Sequence, residues 1–203
     1  MIHRPGMTLA LIHSPLVGPL TWNSTAAALA ARGCPALVPE LRDDPGRVLP
    51  YWQQHAESAA AALQAVAPGE PLVLAGHSGA GALLPAIRQA MGRPVAGYLF
   101  VDAGIPVDGC SRLASFGEGE VADEFRRFLA GGGRFPTWTA AELAEIVPDA
   151  ALTAALAADL RPRGLSFWEE PIPVFEGWPD APCGYLLFSE SYRAEAARAR
   201  AMG

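Results

Sequence analysis

The sequence contains no lysine: all 15 of its basic residues are arginine, against 21 acidic residues in a chain of 203. The net charge of −6 leaves no surplus of cations to displace counterions from a phosphate backbone, which argues against nucleic-acid binding. Charged residues make up only 18% of the chain, whereas hydrophobic residues make up 51%. This composition excludes intrinsic disorder, and the length is typical of one domain.

Cysteine is also scarce, with only Cys34, Cys110 and Cys183 present. Their odd number and wide separation suit neither a disulfide framework nor a metal site, so we expect a cytoplasmic protein that holds no metal or other cofactor. Long hydrophobic runs are missing too. The N-terminal apolar stretch is interrupted by His13 and Pro15, and therefore neither a signal peptide nor a membrane span is predicted.

Short apolar runs alternate with helical patterns through the first half of the sequence. Strands are predicted at residues 8–13, 35–41, 71–76 and 95–104, and the segments between them have the composition of helices that end at turn residues such as Gly33. Strands that alternate with helices indicate right-handed βαβ crossovers. The predicted fold class is therefore α/β, with a mostly parallel sheet flanked by helices.

The alternation stops after the fourth predicted strand. Helical patterns joined by Gly- and Pro-rich links follow, and a last strand at 183–188 and a last helix complete the sequence. A helical insertion between two strands of one sheet predicts a cap. We therefore expect a single domain with a core of residues 1–104 and 179–203 and a cap of about residues 105–178.

The clearest motif is GHSGAG at residues 76–81, directly after a predicted strand and directly before a predicted helix. A nucleophile elbow requires this context, because small residues around Ser78 permit a sharp turn and let the helix pack closely on the strand. The fifth position of the usual G-x-S-x-G pattern is Ala80 here, which is still small enough for the turn. The alternative interpretation is a glycine-rich turn that binds a phosphate or no ligand.

On these residues the sequence resembles the α/β-hydrolase superfamily, and within it the branch of small plant-type esterases and hydroxynitrile lyases with their bacterial relatives. Three more segments carry the resemblance: LIHSPLVGPLTW (11–22), PALVPEL (35–41) and YLFVDAGIP (98–106). The resemblance implies an α/β-hydrolase fold and a serine hydrolase of the esterase type. The substrate it implies is a small-molecule ester or carbonyl compound of largely apolar character.

The resemblance also assigns roles around the predicted elbow. Ser78 Oγ would be the attacking atom, and the backbone N–H of Gly79 would belong to the oxyanion hole. The family's second donor lies two residues after His13, where this sequence has Pro15, which lacks an N–H. Either Ser14 supplies its hydroxyl or its N–H instead, or the oxyanion hole has one donor fewer. His13 and Ser14 are candidate oxyanion or substrate-binding residues.

Two residues are candidates for the acid that orients a catalytic base. Asp102 ends the fourth predicted strand, whereas Glu190 lies just past the last strand, which is the commoner position in this fold. We favour Asp102, although a turn or capping residue at a strand end is an alternative explanation for it. In the predicted cap, Trp168 is a candidate for contacting an apolar substrate. The aromatic residues around it would otherwise pack the cap onto the core.

A histidine in the expected position is missing. The order on this fold is serine, acid, histidine, but no histidine follows His77 among the four of the sequence, which include His3 in the N-terminal segment. His77 adjoins the nucleophile, where neighbouring side chains point apart, and His55 is expected at or near the surface. Two hypotheses remain: a serine hydrolase whose base is absent from this sequence, and an impaired or non-hydrolytic, lyase-like or ligand-binding member of the fold.

The sequence after the last predicted strand has one helix and then ends where the family has a further strand. We therefore expect the sheet to lack this edge strand. Unpaired groups at a sheet edge often find a partner chain, and a homodimer is accordingly expected.

Overall fold

The computed structural model describes residues 6–44 and 46–202. Its strands are β1 (Thr8–Ile12), β2 (Ala36–Leu37), β3 (Leu72–Ser78), β4 (Gly97–Ala103), β5 (Cys110–Ser111), β6 (Pro171–Ile172) and β7 (Cys183–Leu186). Five of them form one sheet in the order β2-β1-β3-β4-β7, and all neighbouring pairs are parallel. The remaining pair, β5 and β6, is antiparallel. The predicted parallel sheet is confirmed.

Helices connect and cover the strands. They are α1 (Leu20–Ala30), α2 (Tyr51–Leu63), α3 (Leu84–Met91), α4 (Glu120–Ala130), α5 (Ala140–Ala144), α6 (Ala150–Ala158), α7 (Leu165–Glu169) and α8 (Arg193–Met202). A 3₁₀ turn precedes α3 at Gly81–Leu83, and another precedes α8 at Glu190–Tyr192. Gly92 ends α3 with a φ of +65°, a conformation that glycine adopts without steric cost.

The central strands are apolar because both faces of the sheet are covered. Ile12 and Leu74 are fully buried in the cluster that includes residues of α2 and α3. Leu11 and Ala75, which alternate with them along the same strands, pack with Trp22 of α1 on the opposite face. Strands buried on both faces read as continuous hydrophobic runs, and this is why β1, β3 and β4 were predictable.

The predicted strand at 35–41 is reduced to β2, which has only two residues. Pro39 follows closely and has no N–H to donate to a neighbouring strand, so the ladder does not continue through it. β2 still occupies the outer position beside β1. The predicted order of elements is therefore correct, while the length of this strand was overestimated.

The chain between β4 and β7, which we call the inserted segment (residues 104–182), contains α4 to α7 and the β5–β6 pair. Its interior is an aromatic cluster in which Phe167 and Trp168 are buried, and Leu16 and Tyr51 pack against this cluster from the remainder of the chain. No helix within residues 6–44 and 46–202 is long and apolar enough to cross a bilayer. The division into a core and a cap stays a prediction.

Candidate active site

Ser78 is the last residue of β3, and its backbone has a φ of +55°. A residue with a side chain rarely adopts this left-handed conformation, and such strain is concentrated at functional sites. The register with β4 shifts between His77 and Ser78, and the N–H of Ala80 donates to the carbonyl of His77 at 3.0 Å. The chain therefore turns sharply at Ser78 and leaves this partly exposed residue at the carboxyl end of the sheet.

The small residues around Ser78 are required by close packing. A Cβ on Gly81 would lie 2.2 Å from the carbonyl oxygen of Gly104, and a Cβ on Gly76 would lie 3.0 Å from Leu84 and 3.2 Å from the backbone of Ala80. Real Cβ atoms do not approach backbone atoms as closely as the first of these distances. The glycines of the motif thus allow the helical turn after Ser78 to pack directly on β3 and β4.

The loop after β1 lies beside the turn. A Cβ on Gly79 would be 3.5 Å from Ser14 Oγ and 3.7 Å from Cδ of Pro15, so both residues adjoin the residue that follows Ser78. Two backbone N–H groups of this loop are directed back at Ser14: that of Leu16 donates to its hydroxyl at 3.4 Å, and that of Val17 to its carbonyl at 3.1 Å. The hydroxyl of Ser14 is therefore the polar side-chain group that this loop brings to Gly79.

Ser78 Oγ has a partner that the sequence analysis missed. The hydroxyl of Tyr192, in the 3₁₀ turn after β7, lies 2.8 Å from it. Burial raises the pKa of the Tyr192 phenol, although its hydrogen bond with Ser78 acts in the opposite direction. The only available signal was a hydroxyl-bearing residue shortly after the last strand, where the carboxyl ends of parallel strands meet.

Asp102 lies near the end of β4, and its backbone has a φ of +40°. Its carboxylate is buried and accepts a hydrogen bond from the backbone N–H of Phe188 at 2.6 Å. Just beyond it, the N–H of Gly104 donates to the carbonyl of Ser78 at 3.3 Å. Burial is the main cause of the raised pKa of Tyr192, and the charge of Asp102 raises this pKa further.

The side chain of Glu190, the other candidate acid, lies at the surface. It is 76% exposed, and both of its carboxylate oxygens accept hydrogen bonds from the guanidinium of Arg193 in the next turn. Both residues lie at the carboxyl end of the sheet, but the carboxylate of Asp102 is buried on the strand next to Ser78, whereas that of Glu190 is exposed and paired with Arg193. The catalytic role of either residue stays a prediction.

The ring of His13 is held by backbone groups on both sides. Nδ1 donates to the carbonyl of Ser14 at 2.9 Å, and Nε2 accepts from the N–H of Leu41 at 3.1 Å. The side chain is fully buried, and this burial lowers its pKa. Its geometry does not support the predicted role in oxyanion or substrate binding, because neither ring nitrogen is left to contact a ligand.

The other described histidines do not hydrogen-bond to Ser78 either. His77 packs edge-on against Trp22, with ring centroids 5.9 Å apart. His55 was expected at or near the surface, but it is fully buried and bonds Asp43 through Nε2 at 3.1 Å. His3 lies outside the described residues. Within residues 6–44 and 46–202, no group of three or more His, Cys, Asp or Glu residues is placed to hold a metal ion.

The sequence profile of the alpha/beta hydrolase family matches residues 9–203. The chain belongs to this family. The match spans the sheet, the turn at Ser78 and the inserted segment, and it confirms the resemblance deduced from the motifs. A comparison with curated proteins gave no significant match.

Solved structures share the fold over most of their length. One of them is an extracellular alpha/beta-hydrolase from a Paenibacillus species, which is described as sharing structural and functional homology with tobacco salicylic acid binding protein 2. Its TM-score is 0.71 at 19% identity, and the match covers 94% of this chain and 85% of that one. Tomato methylketone synthase I complexed with 2-tridecanone has a TM-score of 0.65 at 15% identity, covering 97% and 84%. Polyneuridine aldehyde esterase has a TM-score of 0.61 at 16% identity, covering 89% and 79%. Identities this low establish a common fold only.

Trp168 of this alpha/beta hydrolase lies inside the inserted segment. Its side chain is 4% exposed, and its indole N–H donates to the carbonyl of Arg163 at 3.2 Å. Its ring contacts the rings of Phe116, Phe125, Phe135 and Phe167. The predicted substrate contact is therefore not supported, and packing of the aromatic cluster accounts for this residue.

A second polar cluster, which we call the polar junction, consists of Asp43, His55, Arg112, Arg163 and Glu170. It joins the inserted segment to the loop before α2 and to α2 itself. Arg163 donates to both carboxylate oxygens of Asp43 at 2.7 Å. Burial would raise the pKa of Asp43, but hydrogen bonds from His55 and Arg163 hold it far below its usual range. Burial lowers the pKa of His55 to about 4 despite that bond.

Glu170 completes the polar junction by capping α2. Its two oxygens accept from the N–H groups of Tyr51 at 2.8 Å and Trp52 at 2.9 Å, which are otherwise unpaired at a helix N-terminus. Arg112 donates to the same carboxylate at 2.7 Å, and its guanidinium stacks 4.0 Å from the ring centroid of Phe167. Arg163 and Asp43 thus pair across the boundary of the inserted segment, whereas Arg112 and Glu170 pair within it and Glu170 crosses the boundary to the backbone of α2.

Proposed function

We propose that this alpha/beta hydrolase is a serine hydrolase of the esterase type, with Ser78 as its nucleophile. The observation that carries the proposal is the left-handed backbone of Ser78 between β3 and a helical turn. This geometry is that of a nucleophile elbow, in which strain exposes the hydroxyl at the top of the sheet. The esterases among the structural neighbours share the fold and are consistent with this chemistry.

In the proposed reaction, Ser78 Oγ attacks the carbonyl carbon of the substrate. The backbone N–H of Gly79, at the start of the following helical turn, stabilises the developing oxyanion. Ser14 is the proposed second donor, because its hydroxyl adjoins Gly79 and Pro15 offers no N–H. Loss of one such donor typically costs about 10²–10³ in rate, so a hydroxyl at this position would have a large effect.

Asp102 is the proposed acid. Its buried carboxylate is fixed by the N–H of Phe188 and lies on the strand next to Ser78, whereas the carboxylate of Glu190 is bound to Arg193 at the surface. A buried carboxylate fixed in this way can orient a catalytic partner, whereas an exposed carboxylate paired with an arginine is not available for this role. We therefore retain Asp102 over Glu190.

The inserted segment is the proposed cap. Leu16, in the loop beside Ser14, packs against the aromatic cluster of this segment, so apolar side chains adjoin the oxyanion side of the site. This arrangement favours a small-molecule ester or carbonyl compound with a largely apolar acyl group. We also retain the cytoplasmic location, on the grounds of the three unpaired cysteines, and a homodimer, because β7 lies at an edge of the sheet and is followed by exposed Phe188.

A non-hydrolytic, lyase-like or ligand-binding role is the second candidate function. Two observations favour it: Pro15 removes a backbone donor from the oxyanion side, and the rings of His13, His55 and His77 are all engaged away from Ser78. A protein of this kind would bind an apolar carbonyl compound without forming an acyl-serine intermediate.

Covalent labelling separates the two candidates. We expect a fluorophosphonate to form an adduct on Ser78, located by peptide mass spectrometry, and p-nitrophenyl acetate turnover to depend on Ser78. Ser78→Ala should lose both signals, while Ser191→Ala, which changes an exposed serine beside Tyr192, should keep them. An unlabelled Ser78 in the wild-type chain, at every pH tested, would reject the hydrolase proposal and support the binding role.

A further inference from the structure

The Ser78–Tyr192 hydrogen bond joins residues that are far apart in sequence but meet at one end of the sheet. The two oxygen atoms lie 2.8 Å apart, and either can be the donor. The three described histidines use their rings for backbone, carboxylate or aromatic contacts elsewhere. Among residues 6–44 and 46–202, Tyr192 is the titratable side chain that hydrogen-bonds to the hydroxyl of Ser78.

The sheet order determines the side from which Tyr192 approaches. β3 lies between β1 and β4, and β7 lies beyond β4. Ser14 follows β1, so it reaches the turn at Ser78 from one side, whereas Tyr192 follows β7 and reaches it from the other side. Attack by Ser78 Oγ requires hydrogen-bond donors for the oxyanion that forms on the substrate carbonyl, on one side of the site. It requires a proton acceptor for Oγ on the other side. Tyr192 occupies the side of the acceptor.

We propose that Tyr192 is the general base of this site, a proposal that rests on Ser78 being the nucleophile. The phenolate oxygen of Tyr192 takes the proton of Ser78 Oγ while Oγ bonds to the carbonyl carbon. The phenol then passes this proton to the leaving alkoxide as the ester C–O bond breaks. In the second half, water gives a proton to the phenolate and attacks the acyl group. Tyr192 returns that proton to Ser78 as the acyl–Oγ bond breaks, so one water is consumed per ester.

The groups around Tyr192 determine the pH at which this base works. Burial raises the pKa of the phenol, the hydrogen bond with Ser78 opposes this, and the carboxylates of Asp102 on β4 and Glu195 on α8 raise it further. Tyr185 of β7 also faces it, and this phenol bonds the backbone of Ala103. The phenolate is therefore a minor form at neutral pH, and the reaction rate is expected to rise about tenfold per pH unit until the phenol titrates.

The test compares labelling rates of the full chain with those of Tyr192→Phe, which removes only the hydroxyl. Fluorophosphonate labelling of Ser78 is followed by mass spectrometry from about pH 7 to about pH 10, with the fold checked by circular dichroism at each pH. For the wild type we expect the logarithm of the rate constant to rise with a slope of about 1. Tyr192→Phe should lose this slope and be at least about 100-fold slower at the alkaline end. Tyr185→Phe is the matched control and should keep the slope.

A spectroscopic titration tests the same assignment without using activity. The phenolate absorbance of the wild type minus that of Tyr192→Phe reports the pKa of Tyr192, and we expect this pKa to lie above the ordinary value for tyrosine, in agreement with a labelling rate that still rises at the alkaline end of the profile. A Tyr192→Phe variant that labels as fast as the wild type with the same profile would overturn the role of Tyr192 while leaving Ser78 as nucleophile. A wild-type chain that does not label at any pH would reject the proposed function itself.

Discussion

The Ser78 turn and the polar junction are both polar, yet they are built in opposite ways. At the turn, Ser78 and Asp102 have left-handed backbones, and Ser78 is partly exposed with a single side-chain partner, Tyr192. At the junction, buried charges are paired several times over, as in the bidentate contact between Arg163 and Asp43. The first region holds a serine hydroxyl on a strained backbone, and the second joins the inserted segment to α2 and the loop before it.

The comparison shows that a perturbed pKa alone would point to the polar junction and not to the site proposed at Ser78. Asp43 and His55 have large pKa shifts, but their partners are structural and they lie in the polar junction. Ionisable groups with shifted pKa values concentrate at active sites, but ion-pair networks produce the same shifts. Backbone strain is the feature that distinguishes Ser78 from the residues of the polar junction, because a residue with a side chain rarely adopts a left-handed conformation.

The largest effect is expected from replacing Ser78 itself. Ser78→Gly should lower fluorophosphonate labelling and ester turnover by about 10³-fold or more, since the nucleophile is removed. The same change should raise the free energy of unfolding by about 1 kcal/mol, because glycine adopts a positive φ without the steric cost of a side chain. Urea unfolding of Ser78→Gly and Ser78→Ala measures this gain, and Ser78→Ala should not show it. Equal stabilities for the two variants would contradict strain at Ser78.

Substitutions in the polar junction should have the opposite effect. They should lower the free energy of unfolding without changing the reactivity of Ser78. Glu170→Ala removes the cap of α2 and leaves Arg112 as a buried, unpaired charge, so we expect a loss of about 3–5 kcal/mol in the free energy of unfolding. Labelling of Ser78 in the fraction that remains folded should change little. Glu142→Ala, which removes the exposed N3 residue of the capping box of α5, is the control and should change the free energy of unfolding far less than Glu170→Ala. A direct loss of labelling in folded Glu170→Ala would mean that the two regions are coupled.

The two candidate acids provide a sharper comparison within the site. Asp102→Asn keeps the shape of the side chain but removes the carboxylate that the N–H of Phe188 fixes at the end of β4. We expect turnover to fall by about 10²-fold or more because the proposed acid is lost, although removal of its charge by itself lowers the pKa of Tyr192 and so favours the phenolate. Glu190→Gln affects only the surface pair with Arg193 and should leave turnover within about twofold. Steady-state hydrolysis of p-nitrophenyl esters measures both. A larger loss in Glu190→Gln than in Asp102→Asn would reverse the assignment of the acid.

The smallest effect concerns pH. The pKa of His55 falls from its ordinary value of 6.5 to about 4 on folding, so the folded state favours the neutral ring. Its contribution to stability is complete above the unfolded pKa and is lost as the pH falls from about 6.5 towards 4, by about 1–3 kcal/mol. Burial also lowers the pKa of His13, which adds to the loss in the same direction.

Urea unfolding midpoints measured at several pH values test this dependence. His55→Gln should flatten the loss between pH 6.5 and 4 without abolishing it, because His13 still titrates. Labelling of Ser78 in the folded protein should not follow the His55 titration. A stability profile that is identical in His55→Gln and the wild type would show that His55 is already charged or already exposed in the folded state.

Much of the fold and one part of the site were predictable from local patterns. The strands buried on both faces appear as continuous apolar runs, and the glycines around Ser78 appear because a tight turn and close helix packing leave no room for side chains. Errors arose where a local pattern was ambiguous. The strand at 35–41 was overestimated because its apolar composition concealed the effect of Pro39 on strand pairing.

The sequence by itself determined the parallel sheet, the turn at Ser78 and the placement of Asp102 at a strand end, since each depends on neighbouring residues. Only the tertiary structure decided which side chains meet. Tyr192 reaches Ser78 across 114 positions of the chain, His13 is held by the N–H of Leu41, and Trp168 is enclosed by its own segment. Such contacts depend on how distant elements pack, and packing is a property of the whole chain that no local pattern encodes.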